Sequence, residues 1–186
     1  MDENRLRLFD RATAAATEVV AAVKPDQYDD PSPCEGWSVK QVMSHLIGGA
    51  KMFTGMIVGG PPVDRSLDHA GDDPLAAFRA AHADLRAAFL SEGAMDRTYT
   101  APFGEAPGTQ LVAMRTNEVM VHGWDVAKAT GQSTDLDPEV AEACLAMISA
   151  VPFIPRGEGK PFAAEQSAPS GATAADRLAA FTGRQV

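Results

Sequence analysis

The sequence predicts an all-α protein, in which four main helices form a bundle and a short extra helical segment follows near the C-terminal end. Apolar residues recur at the spacing of an α-helix over successive long segments. Proline, glycine and helix-capping residues separate these segments. The sequence has no internal repeat and no alternation of strand and helix patterns, which argues against a parallel sheet.

The chain of 186 residues is predicted to form one domain, with a bundle core over residues 1–150 and a C-terminal extension over residues 151–186. A domain of this length buries about 70% of the surface that its unfolded chain exposes, so it needs no disulfide. The two cysteines, Cys34 and Cys144, form no C-x-x-C motif and do not suggest a disulfide framework.

The first two predicted helices have clear ends. The first runs from Arg5 to Val23, and Pro25 ends it. Ser38 opens the second, and Gln41 three residues later completes a capping-box pattern. Gly59 begins the glycine and proline run that ends this helix.

The later helices follow the same rules. Asp73 and then Pro74 are typical of a helix start, and a fourth helix is predicted from about Thr109 to Thr130. Further capping residues open a fifth helix and a last short one: Asp137, followed by Pro138, and Thr173. Between the third and fourth helices, a short extended piece is expected around Arg97–Thr100.

The charge balance argues against several classes of partner. Asp and Glu number 25 and Lys and Arg 16, which gives a formal net charge of −9, and no basic run is evident. Nucleic acid and anionic membranes bind positive surfaces, so neither partner is expected. The acidic N-terminus does not resemble a signal peptide, and no segment approaches the roughly 20 apolar residues of a membrane span. These features predict a cytoplasmic protein.

A pair of polar residues in the fourth predicted helix suggests a metal site. Glu118 and His122 are four residues apart, so their side chains lie on one face and can converge on one ion. Asp125 lies one turn further along the same row, which Leu111 and Met114 begin. Buried charges need compensation, and a metal ion would supply it. The same spacing also occurs by chance on solvated helices, so the pair alone leaves a surface interpretation open.

His45, in the middle of the second predicted helix, strengthens the metal interpretation. Two histidines and one glutamate form a known ligand set for catalytic zinc, with the fourth position left to water or substrate. His82 lies on the apolar side of the third helix and is the main alternative to His45. For His45, the ordinary alternative is a core histidine that is hydrogen-bonded to a carbonyl, and His82 could replace or join His45. His69 falls in a loop and is expected to be solvated.

The remaining candidates have simpler interpretations. Cys34 could be a soft metal ligand or a reactive thiol, but a half-buried loop cysteine is the more ordinary interpretation of its position. Cys144 is expected to pack in the core, as are Trp37 and Trp124. The sequence has no P-loop, dinucleotide-binding or G-x-S-x-G motif, so nucleotide and serine-hydrolase chemistry have no support.

Several blocks of the sequence resemble the actinobacterial branch of the DinB/YfiT-like superfamily, the group related to mycothiol-dependent maleylpyruvate isomerase. They are P-C-E-G-W-S-V at 33–39, S-H-L at 44–46, D-D-P at 72–74, E-V-M-V-H-G-W-D-V-A at 118–127 and, more loosely, F-T-G-R at 181–184. The resemblance implies a DinB-like four-helix bundle that holds a divalent metal, usually zinc or nickel. The implied ligands are one histidine of the second helix and two residues of a later helix, which match His45, Glu118 and His122. This match favours His45 over His82.

The same resemblance implies a use for the metal. Characterised relatives use a low-molecular-weight thiol, such as mycothiol or bacillithiol, in isomerisation or S-transfer, so a small electrophile would be the other substrate. A metal-bound thiol is deprotonated, and the thiolate is the nucleophile. We expect Asp125 to orient His122 by accepting its free ring N–H, unless it caps a loop instead. Arg156 is a candidate for holding an anionic substrate or a carboxylate of the thiol.

Two other classes of function remain open from the sequence. The same three ligands could activate water for hydrolysis without any thiol. Alternatively, the protein could be a non-catalytic metal-binding or stress-response module whose bundle serves dimerisation. A homodimer is therefore an arrangement that the sequence leaves open.

Overall fold

The computed structural model describes residues 2–101, 104–151, 154–157 and 162–186. In chain order its elements are the helices and strands α1 (Asp2–Ala22), α2 (Val39–Val58), α3 (Pro74–Leu90), β1 (Thr98–Ala101), β2 (Gly104–Pro107), α4 (Gly108–Ala129), α5 (Pro138–Ser149) and α6 (Ala174–Phe181). A 3-10 turn lies between α1 and α2. The prediction of a mainly helical, DinB-like fold is confirmed, with one small hairpin added.

Local capping accounts for where the predicted helices begin. At α2, Ser38 accepts a hydrogen bond from the backbone of Gln41, and the side chain of Gln41 accepts one from the backbone of Ser38. Asp73 caps α3 ahead of Pro74, and Thr173 caps α6 in the same way as Ser38 caps α2. These contacts satisfy backbone N–H groups that would otherwise lack partners.

The hairpin is the main departure from the predicted secondary structure. Strand β1 lies one residue beyond the extended piece expected at Arg97–Thr100, and it pairs antiparallel with β2. The sequence of β2, G-E-A-P, consists of residues that are depleted in strands, so no local signal indicated it. Tertiary contacts hold it in place: Tyr99 pairs with Ala106, both are buried, and the Tyr99 hydroxyl donates to the carbonyl of Ala94.

The four long helices pack together, and this packing creates the site described below. Helix α1 packs on α3 and α4, α2 packs on α3 and α4, and α5 and α6 pack on each other and on α4. Large buried side chains fill the space between these helices, among them Phe9, Phe53, Phe78, Leu46, Leu111 and Trp124. In the part of the chain that the structure describes, no helix is both long and apolar enough to span a membrane.

Candidate metal centre

Helices α2 and α4 lie side by side and bring the three predicted ligands together. Nε2 of His45 is 3.4 Å from Oε1 of Glu118, and the rings of His45 and His122 are 4.9 Å apart between centroids. One ligand atom from each of these residues lies within 4.8 Å of the other two. All three side chains are half-buried, so a ligand entering from solvent could reach an ion held between them.

A buried arginine keeps the carboxylate of this cluster ionised. Arg115 is fully buried, and its Nη1 donates to Oε2 of Glu118 at 2.5 Å. Burial would by itself raise the pKa of Glu118, but Arg115 and the contact with His45 hold that pKa well below its usual value. Nη2 of Arg115 donates to the carbonyl of Leu46 on α2 at 3.1 Å. Glu118 is therefore an ionised, positioned carboxylate at neutral pH.

The imidazole of His45 is available as a neutral ligand. Burial lowers the pKa of His45, and the nearby positive charge of Arg65 acts in the same direction, although the contact with Glu118 opposes both. Nη2 of Arg65 lies 2.9 Å from Nε2 and 3.0 Å from Nδ1 of His45. Arg65 comes from the connection between α2 and α3, and no sequence motif indicated it.

His122 is oriented by a second buried ion pair. It donates from Nδ1 to Oδ2 of Asp125 at 2.9 Å, as the sequence had suggested. Burial would raise the pKa of Asp125, but the hydrogen bonds from His122 and Arg184 lower it. Arg184 donates from Nε to Oδ1 at 3.1 Å and from Nη2 to Oδ2 at 2.8 Å. The only sequence signal for Arg184 was its place in the F-T-G-R block.

His82, the alternative to His45, is engaged in the core. Its Nδ1 donates to the carbonyl of Phe78 at 2.9 Å, and its Nε2 accepts from Arg115 at 3.3 Å. The ring stacks on Phe78, with 3.9 Å between centroids. Burial, together with the positive charge of Arg115, lowers the pKa of His82 to about 3. His82 belongs to neither group of potential ligands that the described residues form.

Trp37 and Cys34 line the same site. The ring of Trp37 is 4.7 Å from that of His45 and 6.3 Å from that of His122, so Trp37 packs against two of the candidate ligands. Cys34 forms a second cluster with His122 and Asp125. Burial and the charge of Asp125 raise the pKa of Cys34, so its thiol favours the protonated form. The half-buried position of Cys34 agrees with the ordinary interpretation of a loop cysteine.

The remaining candidates lie in other surroundings. Nη1 of Arg156 donates to the carbonyls of Phe181 and Ala163 at 2.6 and 3.2 Å, and its guanidinium lies over the ring of Phe181. These contacts tie parts of the C-terminal extension together. Nε2 of His69 donates a hydrogen bond to the carbonyl of Asp64, in the same loop. Cys144 is buried in the core, and burial raises its pKa to about 12.

The fold and the geometry of the site together define a class of protein. Its members are mainly helical, and two neighbouring helices present a His/Glu/His cluster. Residues 9–127 match the family of the mycothiol maleylpyruvate isomerase N-terminal domain, which is more than half of the chain. The chain therefore belongs to this family.

Individual relatives agree with this assignment. Two uncharacterized proteins, from two strains of Mycobacterium tuberculosis, are each 40% identical over 185 residues, covering 97% of this chain and 98% of theirs. The crystal structure of a mycothiol-dependent maleylpyruvate isomerase is similar with a TM-score of 0.64 and 21% identity, over 78% of this chain and 68% of that chain. A histidine-to-alanine mutant of such an isomerase matches over the same shares, with a TM-score of 0.64 and 20% identity. Likenesses at this level of identity show a shared fold.

Proposed function

We propose that this protein holds one divalent metal through His45, Glu118 and His122 and uses it to activate a small thiol, such as mycothiol, for transfer or isomerisation. The observation that carries the proposal is a cluster of two imidazoles and one ionised carboxylate with ligand atoms within 4.8 Å of one another. Nitrogen and carboxylate donors suit zinc first and nickel second, and three protein ligands leave a position for an incoming group. A small electrophile is the other substrate, and the cytoplasm is the proposed location.

The chain's own residues prepare this site. When bound, the metal lowers the pKa of the thiol that enters the open position, so that a thiolate forms near neutral pH. Arg115 keeps Glu118 ionised, and burial keeps the imidazole of His45 neutral, which are the protonation states that ligands require. Asp125 holds the proton of His122 on Nδ1, so Nε2 is left as the ligand atom. Arg156 is bonded to backbone carbonyls of the extension, and a role in holding an anionic substrate or a carboxylate of the thiol stays a prediction.

Metal titration tests the site. Zinc and nickel are titrated into chelator-stripped protein, and we expect saturable binding of about one ion per chain. His45→Ala, Glu118→Ala and His122→Ala should each abolish tight binding, whereas His69→Ala, a histidine held in a loop, should retain it. Loss of binding in His82→Ala but not in His45→Ala would overturn the ligand assignment.

A thiol-dependence assay tests the reaction. Metal-loaded protein is mixed with mycothiol and a panel of electrophiles, and we expect a rate that requires the thiol and is lost in His122→Ala. Cys34→Ser should retain most of this rate, because the nucleophile comes from solution. Equal turnover without added thiol would replace the proposal with metal-assisted hydrolysis. A metal-loaded protein that is inert towards the whole panel would point to a non-catalytic metal-binding module.

A further inference from the structure

A chain of hydrogen bonds leads from the core side of α3 to the candidate ligand Glu118. Nδ1 of His82 donates to the carbonyl of Phe78 at 2.9 Å, and Nε2 of His82 accepts from Nη2 of Arg115 at 3.3 Å. Nη1 of Arg115 in turn donates to Oε2 of Glu118 at 2.5 Å. His82 is therefore linked to a candidate metal ligand through a single side chain, although it is not a ligand itself.

His82 is fixed as an uncharged acceptor. A carbonyl can only accept, so the proton of the neutral ring lies on Nδ1 and the lone pair of Nε2 is directed at Arg115. The ring stacks on Phe78 and His82 is only 2% exposed, so it has one defined place in the core. An uncharged acceptor can orient the guanidinium of Arg115 without taking its charge away from Glu118.

The guanidinium of Arg115 is held from three helices. Its Nη2 contacts His82 on α3 and the carbonyl of Leu46 on α2, while its Nη1 contacts Glu118 on α4. Its Nε is buried and, within the described part of the chain, has no hydrogen-bond partner. Because the guanidinium is a rigid plane, the contacts of Nη2 also determine where Nη1 points.

This orientation decides which oxygen Glu118 presents to the site. Oε2 is occupied by Arg115, whereas Oε1 lies 3.4 Å from Nε2 of His45 and 3.8 Å from Nη2 of Arg65. We propose that His82 is a positioning residue: it orients Arg115, which holds Oε2 and leaves Oε1 of Glu118 for the metal. This inference rests on the proposed function.

Zinc titration of stripped full-length protein tests this role. His82→Leu removes the acceptor nitrogen, His82→Gln restores an acceptor oxygen, and Leu85→Val is a packing control at a buried position of the same helix. We expect His82→Leu to bind zinc roughly tenfold more weakly than wild-type protein, because Arg115 is no longer fixed behind the ligand. His82→Gln should recover to within about threefold of wild-type affinity, and Leu85→Val should match wild type. His82→Met, whose thioether is at most a weak acceptor, takes the place of His82→Leu if that variant does not fold.

Cobalt gives a readout that a loss of packing would not move. The visible absorption of cobalt-loaded protein depends on the number and geometry of the ligands. A carboxylate binds a metal through one oxygen or through both, and the contact with Arg115 leaves only one oxygen of Glu118 free. The spectrum of His82→Leu should therefore differ from the wild-type spectrum, whereas His82→Gln and Leu85→Val should retain it.

An unchanged zinc affinity or an unchanged cobalt spectrum in His82→Leu would overturn the positioning role while leaving the metal site intact. Equal losses of affinity in His82→Leu and His82→Gln would do the same, because the acceptor would then not matter. An equal loss in Leu85→Val would trace the effect to packing and would also overturn the role. Failure of the wild-type protein to bind zinc would overturn the proposed function, and this inference with it.

Discussion

His122 donates from Nδ1 to Oδ2 of Asp125, one turn further along α4, at 2.9 Å. Because a carboxylate can only accept, the proton of the neutral ring is on Nδ1 and the lone pair is on Nε2. Arg184 holds the same carboxylate from the C-terminal extension. Arg184, which follows α6, is therefore linked to the candidate ligand His122 through Asp125.

The first prediction concerns the carboxylate of Asp125. Asp125→Asn should weaken zinc affinity roughly 10–100-fold, because an amide holds the ring of His122 less firmly than a carboxylate does. Zinc titration of stripped protein measures the effect. Arg184→Gln is the comparison, since it leaves Asp125 in contact with His122, and we expect a smaller loss. Wild-type zinc affinity in Asp125→Asn would place Asp125 outside the site.

The second prediction separates stability from metal binding at Glu118. Glu118→Gln should lower the free energy of unfolding of the stripped protein by about 3 kcal/mol, because it leaves the buried guanidinium of Arg115 without its charged partner. Urea denaturation measures this change. The control is Glu142→Gln, which removes an exposed partner of Arg177 and should cost less than about 1 kcal/mol. Similar losses in both variants would contradict the role given to Arg115.

The third prediction compares two neighbouring glycines in the middle of α2. A Cβ on Gly49 would lie 2.5 Å from Nη1 of Arg115, whereas a Cβ on Gly48 would lie 2.5 Å from the ring of His69. Arg115 is fully buried and has no free space beside it, whereas His69 is a half-buried residue on a largely exposed loop that can shift. Gly49→Ala should therefore destabilise the protein by about 1–3 kcal/mol despite the better helix propensity of alanine.

Gly48→Ala is the matched variant, because it brings the same gain in helix propensity at the adjacent position. We expect Gly48→Ala to leave the free energy of unfolding, measured by urea denaturation, nearly unchanged. It should also keep wild-type zinc affinity, whereas Gly49→Ala should lose affinity because it displaces Arg115 from Glu118. If the two variants unfold at the same urea concentration, the close approach of Arg115 to α2 is not what requires a glycine.

The fourth prediction concerns pH. The pKa of His82 is about 3 in the folded protein and about 6.5 in an unfolded chain. On acidification the unfolded state binds the proton first, so stability falls as pH drops below about 6.5 and continues to fall until about pH 3. His82→Gln keeps a donor and an acceptor but does not titrate. Between pH 7 and about pH 4.5, wild-type protein should lose about 2.5 kcal/mol more stability than this variant. Parallel stability curves would show that His82 is not the buried neutral group described here.

Local rules were enough to predict much of the fold. Ser38 with Gln41 and Asp73 with Pro74 mark helix starts because the capping contacts join residues a few positions apart. For the same reason, the four-residue spacing of Glu118 and His122 is sufficient to place both side chains on one helix face. Strand β2 had no such signal, because its pairing with β1 depends on tertiary contacts rather than on strand propensity.

The sequence by itself determined the helices and the shared helix face of Glu118 and His122. It also offered two histidines, His45 and His82, as the possible third metal ligand. The resemblance favoured His45 over His82 as the candidate ligand, and the tertiary structure supplies the contacts behind that preference: His45 on α2 lies beside Glu118 of α4, while Arg115 and a backbone carbonyl occupy the nitrogens of His82. The tertiary structure also places two arginines beside the candidate ligands: Arg65 from a loop and Arg184 from the C-terminal extension. Helical periodicity follows from backbone geometry within one element, whereas contacts between distant segments depend on how the whole chain packs.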